Sequence, residues 1–216
     1  MDELVEKYKN HIENCILKAE KYESLINNEI YSLDGMSGYK TRHFYNNLLN
    51  TDDARYLEIG MWKGSSLCSA MYKNKADIVC IDNFSEFGGP KGEFLYNLNK
   101  FKGDNSVLFL DEDCFTVDIS KINKRNIYLY DGNHSYESQY KALTHFYDCL
   151  DDIFIFIVDD WNCDIIREST LTVINDLKLK KLYEKEIRLT FDNSHTPHEI
   201  AIKDWWNGIY ITLLMK

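Results

Sequence analysis

The sequence predicts an α/β fold, a doubly wound sheet of seven strands that run mainly parallel and end in an antiparallel hairpin. Short β-branched or aromatic runs alternate with helical stretches, which is the pattern of βαβ units. The run Ile153–Val158 is apolar at every position, as expected for a central parallel strand buried on both faces. Seven runs of this kind occur, so we expect seven strands. They lie near Arg55–Ile59, Ile78–Asp82, Val107–Leu110, Ile127–Tyr130, Ile153–Val158, Leu182–Arg188 and Ile209–Leu214.

Helices are predicted between these strands, near Gly64–Tyr72, Lys91–Phe101, Tyr136–Cys149 and Ile165–Leu177. The last two strands are separated by the segment Trp205-Trp206-Asn207-Gly208, and we expect them to form the closing hairpin. Before the first strand, apolar residues from Leu4 to Ile26 recur at helical spacing, and a glycine-punctuated segment, 34–38, precedes a second short helix. Residues 1–50 are therefore predicted to be a helical cap or lid on the sheet domain of residues 51–216, in one compact unit.

Composition excludes several classes of protein. The 216 residues are 44% hydrophobic and 14% aromatic, enough for one sizeable core. A net charge of -10 opposes binding to a nucleic-acid backbone, which needs clustered Lys and Arg. No apolar run approaches the ~18 residues of a membrane span, so we expect a cytoplasmic protein with no membrane partner. The cysteines form no C-x-x-C pair and are predicted to be reduced and mostly buried: Cys15, Cys68, Cys80, Cys114, Cys149 and Cys163.

The first strand ends in a glycine turn with the pattern E-I-G-x-x-x-G-x-S. Gly60 allows the backbone to turn tightly under a ligand, and Gly64 allows the next helix to begin close to the sheet. The carboxylate of Glu58 is placed to attract a cofactor ammonium group. Asp82 ends the second strand about twenty residues on, where an acid accepts hydrogen bonds from ribose hydroxyls. Together these residues predict a cofactor that carries a nucleoside.

The residues between the two glycines distinguish between cofactors. An NAD or flavin enzyme needs closely spaced glycines to cradle a pyrophosphate, whereas this loop carries Met61, Trp62 and Lys63. S-adenosylmethionine (SAM) has no phosphate and tolerates bulky side chains there. We therefore predict SAM as the cofactor, with Ser65 among its contacts. An ordinary β-to-α turn remains the alternative interpretation of the glycines alone.

The third strand leads into Asp111-Glu112-Asp113-Cys114-Phe115. From this position a nucleotide-binding sheet can offer Asp113 to an adenine amino group and an apolar residue such as Cys114 to the adenine face. A solvated acidic turn is the alternative. The sequence thus predicts, at this third strand end, the part of the site that binds the base.

Strands four and five end in acidic segments that should meet at one sheet edge. The fourth strand breaks at D-G-N-H-S-Y-E and the fifth at D-D-W-N. Ligands of an open parallel sheet bind beyond the carboxyl ends of its strands. Asp131, Asp159 and Asp160 repel one another unless a cation neutralises them, and an all-oxygen set suits Mg²⁺ or Mn²⁺. We predict a divalent metal there that lowers the pKa of a substrate hydroxyl.

His134 is the predicted general base at this edge, because an imidazole next to a metal-bound hydroxyl can take its proton as the oxygen attacks the SAM methyl group. Taken alone, a His in such a loop is more often a surface residue, and Asp131-Gly132 is also an ordinary turn. The co-location of the two acidic segments beside a cofactor motif favours catalysis.

These motifs resemble the class I SAM-dependent methyltransferases of the macrocin and mycinamicin sugar O-methyltransferase type, with relatives in cephalosporin biosynthesis. The resemblance covers nearly the whole chain, from Gly35-Met36-Ser37-Gly38 through the glycine turn and Ile81-Asp82-Asn83-Phe84 to D-G-N-H-S-Y-E and V-D-D-W. It implies a Rossmann-like fold, cofactor contact at Met36, magnesium at Asp131, Asp159 and Asp160, and a base at His134.

The resemblance also implies that the acceptor is a sugar hydroxyl of a glycan or glycosylated metabolite. The chain lacks the long N-terminal domain and substrate loops of the macrolide enzymes, so the acceptor itself cannot be carried over. Trp161, Trp205 and Trp206 can offer flat faces to a pyranose, although packing is commoner for such residues. Arg42 and His43 are more often surface residues than contacts to SAM or an anionic acceptor.

The sequence also allows other functions. A catechol-type metal-dependent O-methyltransferase shares the sheet and the acidic site, but it accepts a diol on a flat ring. A non-catalytic module that binds SAM or a nucleotide sugar within a glycan-building assembly has no reason to concentrate acids at one edge. An NAD-dependent enzyme is disfavoured by the bulky first loop. Self-association into a homo-oligomer is expected only by analogy.

Overall fold

The computed structural model describes residues 1–216 and contains seven strands and eight α-helices. The strands are β1 (Arg55–Ile59), β2 (Asp77–Ile81), β3 (Ser106–Leu110), β4 (Arg125–Tyr130), β5 (Leu150–Asp159), β6 (Lys180–Ile187) and β7 (Ile209–Met215). The helices are α1 (Asp2–Glu20), α2 (Asn28–Tyr31), α3 (Tyr39–Leu49), α4 (Ser65–Met71), α5 (Lys91–Phe101), α6 (Tyr136–Phe146), α7 (Asp164–Asp176) and α8 (His198–Ala201).

All seven strands form one sheet in the order β3-β2-β1-β4-β5-β7-β6, which confirms the predicted fold class. Strands β1 to β5 are parallel, and β7 runs antiparallel to both of its neighbours. The strand order reverses direction between β1 and β4, whose last residues Ile59 and Tyr130 lie opposite each other. A sheet of this kind binds ligands outside the carboxyl ends of its strands at such a reversal. The topology therefore places the site between these two strands.

Helices cover both faces of the sheet. One face packs against α1, α3, α4 and α5 in an apolar cluster that includes Ile12, Phe44 and Leu67 together with the strand residue Ile78. The other face packs against α6 and α7, with Phe146 in its core. Because α1 and α3 share the first cluster with the strands, residues 1–50 are part of the same apolar core as the sheet.

The helix expected from Leu4 to Ile26 ends earlier, at Glu20. Tyr22 takes a left-handed backbone conformation with φ of +56°, which an α-helix cannot continue through. The short helix α2 follows, and the Asn27 side chain accepts hydrogen bonds from the backbone N–H groups of Glu29 and Ile30 at its start. The cap thus has three helices where the sequence predicts two.

The closing hairpin is antiparallel, as predicted. The prediction of a short turn between its strands is wrong, because residues 188–208 join them. The last part of this connection is packed into the molecule. Trp205 is 1% exposed, lies edge-on against Phe44 and donates through Nε1 to Glu20, 2.7 Å away. The connection is long because it reaches back over the sheet to the cap, which local sequence patterns do not reveal.

Four of the six cysteines are buried and none is in a disulfide, as predicted. None of the helices combines the length and the apolar character that crossing a membrane requires.

Candidate active site

A cavity of about 770 Å³ opens at the carboxyl edge of the sheet, where β1, β2, β4 and β5 end. A volume of this size accommodates a small-molecule ligand. Most of the predicted site residues line it: Met36, Gly60, Ser65, Asp82, Asp113, Cys114, Asp131, His134, Asp159 and Asp160. Two predicted cofactor residues, Glu58 and Gly64, lie behind the lining.

Gly60 joins the glycine turn to the acidic loop after β4. Its φ is +82°, and a Cβ placed there would lie 2.0 Å from the carbonyl oxygen of Asp131. No side chain can be accommodated at that distance, so glycine is required on both conformational and steric grounds. The backbone N–H of Asp131 in turn donates to the carbonyl of Ile59, 2.9 Å away. The first turn and the acidic segment are therefore adjacent parts of one site.

Asp82 fixes the backbone of the glycine turn. Its Oδ2 accepts from the N–H groups of Met61 and Trp62 at 2.8 and 2.9 Å, and its Oδ1 accepts from Phe84 N–H at 2.7 Å. Asp82 also lines the cavity, as the ribose-binding prediction requires. The sequence did not predict that Asp82 orders this loop, although an Asp two residues before the donating N–H group is typical of an Asx turn.

Glu58 is fully buried under the cavity floor. Its Oε1 accepts from the Ser66 hydroxyl at 2.5 Å, while its Oε2 has no hydrogen-bond partner. Burial, and to a smaller extent the charge of Asp82, raises the pKa of Glu58 to about 7. Ser66 lines the cavity and Glu58 does not. Direct contact between Glu58 and a cofactor ammonium group would therefore need the Ser66 side chain to move aside. Gly64 caps α4 in a left-handed conformation, with φ of +84°.

The segment before α3 closes the cofactor side of the cavity. Ser37 and Ser65 are 2.9 Å apart through their hydroxyl oxygens, and Met36 lies beside them in the cavity wall. Arg42 is 2% exposed and donates from Nε to the Ser37 backbone carbonyl and hydroxyl, at 3.1 and 3.0 Å. Its Nη1 donates at 3.0 Å to the Leu33 carbonyl. Arg42 thus holds the predicted lid segment from within.

The surface interpretation of Arg42 and His43 is wrong, because both side chains are buried. Burial lowers the pKa of Arg42 to about 10 and that of His43 to about 4. His43 is hydrogen-bonded to Ser24 Oγ at 2.7 Å and to the Tyr31 hydroxyl. Both residues stabilise the cap, and neither lines the cavity.

Asp113 and Cys114, the predicted adenine-binding residues, both line the cavity. Asp113 Oδ1 accepts from Phe115 N–H at 2.8 Å, and all three residues line the cavity. Burial raises the pKa of the Cys114 thiol to about 12, so the group is a neutral thiol. The adenine-binding roles of Asp113 and Cys114 stay predictions.

The structure brings the three predicted acidic residues together. The pKa of Asp131 is raised by burial and then by the charges of Asp160 and Glu58, and that of Asp159 by burial and then by Asp131 and Asp160. Oδ1 of Asp159 and Oδ1 of Asp160 are buried without a hydrogen-bond partner. Asp160 also has an unfavourable left-handed backbone, with φ of +55°. Unpaired, mutually repelling carboxylates are stabilised only by a proton or a cation.

The His134 ring lies between two of these carboxylates. Its Nδ1 is 3.4 Å from Asp160 Oδ2 and its Nε2 is 3.6 Å from Asp131 Oδ1. Nε2 is buried and makes no hydrogen bond. Nδ1 is the nitrogen closer to a carboxylate, and with the proton placed on Nδ1, Nε2 is left to accept a proton.

The donor set fits a divalent cation in its chemistry, since it supplies two unpaired carboxylate oxygens from adjacent residues. In this structure no three His, Cys, Asp or Glu side chains are grouped as closely as metal ligands would be. The acids are separated in part by the ring of His134, which lies between Asp131 and Asp160. The divalent metal therefore stays a prediction.

The tryptophans divide between core and cavity. Trp161 and Trp205 are 0% and 1% exposed, so the prediction that they can offer faces to a sugar is wrong. Trp161 stacks on Tyr210 with ring centroids 4.2 Å apart. Trp206 does line the cavity, as do His195 and Asn207, which the sequence analysis missed. Both residues lie in the long β6–β7 connection, where no strand end or motif marks them.

No protein-family model and no curated protein sequence matches the chain. Solved structures do match it. An SAH-bound methyltransferase from Podospora anserina, PaMTH1, superposes with a TM-score of 0.61 at 11% identity, over 99% of this chain and 96% of that one. The precorrin 8w decarboxylase of Methanobacterium thermoautotrophicum gives 0.55 at 15% identity, over 89% and 96%. TrmN from Thermus thermophilus gives 0.56 at 9% identity and 87% of this chain, which spans about half (52%) of TrmN.

At these low identities the comparisons establish the fold. The seven-stranded sheet with its antiparallel last pair, the helices on both faces and the match over the full length of PaMTH1 agree with one another. The chain has the Rossmann-like fold of SAM-dependent methyltransferases.

Proposed function

We propose that the chain is a SAM-dependent O-methyltransferase. The observation that carries the proposal is the contact between Gly60 and Asp131, which places the glycine turn and the acidic loop with His134 in one cavity. A cofactor-binding module has no use for a buried, unpaired imidazole nitrogen beside its cofactor loop. Methyl transfer to oxygen needs a base at that place.

The reaction moves the SAM methyl group to a hydroxyl oxygen, with the C–S bond electrons returning to sulfur to give SAH. His134 accepts the hydroxyl proton at Nε2, and Asp160 at Nδ1 stabilises the imidazolium that results. The loop held by Asp82 and the lid residues Met36 and Ser65 orient the cofactor and exclude water. A divalent cation held by Asp131, Asp159 and Asp160 would lower the pKa of the hydroxyl.

The proposed acceptor is a sugar hydroxyl of a glycan or glycosylated metabolite, as implied by the resemblance to the macrocin and mycinamicin enzymes. The cavity lining favours an acceptor other than nucleic acid, because it contains seven Asp or Glu residues and no Lys or Arg. Trp206 is the one tryptophan besides Trp62 with access to the cavity.

Calorimetric titration with SAM, SAH and NAD tests the cofactor. We expect micromolar binding of SAM and SAH and no binding of NAD. The variants Asp82→Ala and His134→Ala separate the two halves of the site, since only the first should weaken SAM binding. Absence of SAM binding to the folded wild-type protein would overturn the proposal.

The metal requirement is tested separately. We expect methyl transfer to screened glycan acceptors to be lost in EDTA and restored by Mg²⁺ or Mn²⁺. Asp160→Asn should bind SAM normally but need a higher metal concentration. Full activity in EDTA would contradict the metal and leave the rest of the proposal intact.

A further inference from the structure

Arg188 is the one arginine whose side chain makes no hydrogen bond and no ion pair. The other four, Arg42, Arg55, Arg125 and Arg167, each donate to a backbone carbonyl or a carboxylate. Arg188 directly follows β6 and is partly buried, and its Nε is buried without a partner. A buried charged donor without an acceptor costs free energy, so this guanidinium is suited to an acceptor from outside the chain.

Phe191 positions this guanidinium at the surface. The Cζ of Arg188 lies 4.8 Å from the centroid of the Phe191 ring, a cation–π contact, and Phe191 is 78% exposed. The turn that carries Phe191 is closed by its own hydrogen bonds. Thr190 Oγ1 donates to the Ser194 carbonyl at 2.6 Å, and Ser194 N–H donates to Asp192 Oδ1 at 3.2 Å. An ordered turn therefore presents an aromatic ring and a cation together.

A second guanidinium, that of Arg167 in α7, belongs to the same cluster. Its Nη1 donates to the Trp161 carbonyl at 2.8 Å, and its Nη2 donates to Asn193 Oδ1 at 3.2 Å, which joins α7 to the Phe191 turn. Burial and then the charge of Arg188 lower the pKa of Arg167, so the two cations repel each other. An anion bound between them would relieve this repulsion.

The acids near the two arginines have other partners. Glu186 Oε2 accepts from Trp161 Nε1 at 3.1 Å, and Asp164 Oδ2 accepts from Asn193 Nδ2 at 2.8 Å. Each of these acids raises the pKa of Arg167 by less than Arg188 lowers it. The carboxylates of the chain therefore leave the arginine pair uncompensated.

The arginine pair lies on the same sheet edge as the cavity. Ile187, the last residue of β6, and Asp159, the last residue of β5, both lie opposite Ile209 of β7. Because two strand spacings separate them, the backbone next to Arg188 is about 10 Å from that of Asp159. A molecule that extends from the acidic side of the cavity along this edge therefore approaches Arg188.

The segment after the Phe191 turn connects the arginine pair to the cavity. Thr196 is held by the Asn162 amide at its hydroxyl, 3.0 Å away, and by the Asn207 amide at its N–H, 2.9 Å away. His195, between Thr196 and the turn, lines the cavity. The two sites are thus adjacent and are held in place by the same short segment.

We infer that Arg188, positioned by Phe191 and accompanied by Arg167, forms a subsite for an oxyanion, a phosphate or a carboxylate, at the end of the acceptor distant from the reacting hydroxyl. The inference rests on the proposed function for the position of that hydroxyl and adds a charged group to the acceptor. The planar fork of Arg binds such a group through two parallel hydrogen bonds. The cavity lining has no Lys or Arg to do so.

The anion site is tested first without cofactor or sugar. Inorganic phosphate is titrated into ¹⁵N-labelled protein at constant ionic strength, and the Arg188 Nε–H signal, assigned with Arg188→Lys, is followed. We expect a saturable shift with phosphate and none with chloride. A signal that phosphate does not move would overturn the subsite, and because SAH is absent this result leaves the proposed function standing.

A matched pair of variants separates a specific contact from the general charge of the protein. Arg188→Gln and Lys180→Gln each remove one positive charge at an end of β6, and Lys180 is exposed and carries no ion pair. Phosphate affinity should fall at least about tenfold in Arg188→Gln, the loss of a charge-assisted hydrogen bond, and stay within about twofold in Lys180→Gln. Equal losses would contradict the inference.

Calorimetric titration of the SAH complex with glucose 1-phosphate, glucose and inorganic phosphate tests whether the anion belongs to the acceptor. We expect glucose 1-phosphate to bind more tightly than either of the other two, and Arg188→Gln to remove this advantage while leaving the affinity for glucose unchanged. Glucose 1-phosphate binding no more tightly than inorganic phosphate would indicate a site for a free anion and would contradict the acceptor subsite. Failure of SAH itself to bind would count against the proposed function, not against the phosphate titration.

Discussion

The two halves of the cavity differ in how their polar groups are satisfied. On the cofactor side, Asp82 pairs with three backbone N–H groups, and Ser65 is paired with Ser37. On the acidic side, Asp159 Oδ1, Asp160 Oδ1 and His134 Nε2 are buried without partners. Apart from Glu58 Oε2, the polar groups of the first half are paired before any ligand binds, whereas the second half holds groups that need a proton, a cation or a substrate. Cofactor binding and reactivity are thus assigned to different strand ends along one sheet edge.

The largest expected effect comes from a substitution that disables the acidic half alone. His134→Ala removes the proposed base, so turnover with a screened acceptor should fall by about 10²- to 10⁴-fold. SAM affinity, measured by calorimetry, should remain within about twofold because His134 holds no part of the glycine turn. A similar loss of SAM affinity would show that the two halves are not separable.

Gly60→Ala breaks the connection between the halves. A Cβ at this residue meets the Asp131 carbonyl at 2.0 Å and the backbone has φ of +82°, so we expect the free energy of unfolding to fall by about 3 kcal/mol or more. Urea unfolding measures it. The control is Gly92→Ala, since a Cβ there meets nothing within 4 Å and α5 should become slightly more stable. Equal stability of the two variants would contradict the Gly60 contact.

Asp82→Ala breaks the cofactor half alone. Three backbone N–H groups lose their acceptor and the ribose loses its predicted partner, so SAM binding should weaken by about 1–3 kcal/mol. Asp111→Ala is the control, because Asp111 follows the next strand but is paired with Lys91 outside the cavity lining. An unchanged dissociation constant in Asp82→Ala would refute the assignment.

The smallest expected effect is that of changing Glu58, the one buried acid of the cofactor half with an unpaired oxygen. Its folded-state pKa of about 7 is above the ordinary 4.5, so its charge destabilises the unliganded fold increasingly as the pH rises from 4.5 to 7. Glu58→Gln should therefore be more stable than wild type by about 1–2 kcal/mol at pH 5.5 to 6 and equal to it below pH 4.5. A stability difference independent of pH would show that Glu58 is not protonated on folding.

The fold was largely predictable from the sequence because strand runs and glycine turns are local signals. The run Ile153–Val158 and the helix over 91–101 appear where the patterns place them. The acids at the ends of β4 and β5 were also predictable, since parallel strands end at the same edge. Their convergence in one cavity follows from topology alone, although a metal site does not.

What could not be predicted depends on contacts distant in sequence. The sequence pattern of Trp161 and Trp205 does not distinguish them from tryptophans that bind a sugar, and only their packing against Tyr210 and Phe44, which are distant in sequence, buries them. Arg42 is buried because backbone carbonyls of the lid segment surround it, and carbonyls carry no sequence signal. His195 enters the site through two asparagine side chains, whose hydrogen-bond partners are 11 to 34 residues away.

The hydrogen bonds of Arg42 have a practical consequence for protein engineering. Because a guanidinium in α3 anchors the residues that form one wall of the cofactor cavity, the first 50 residues cannot be trimmed to obtain a minimal domain. A fragment beginning at residue 51 would expose the apolar face of α4 and lose Met36 and Ser37. Fusion partners and crosslinks intended to leave cofactor affinity unchanged therefore belong on the exposed side of α7, away from the cap.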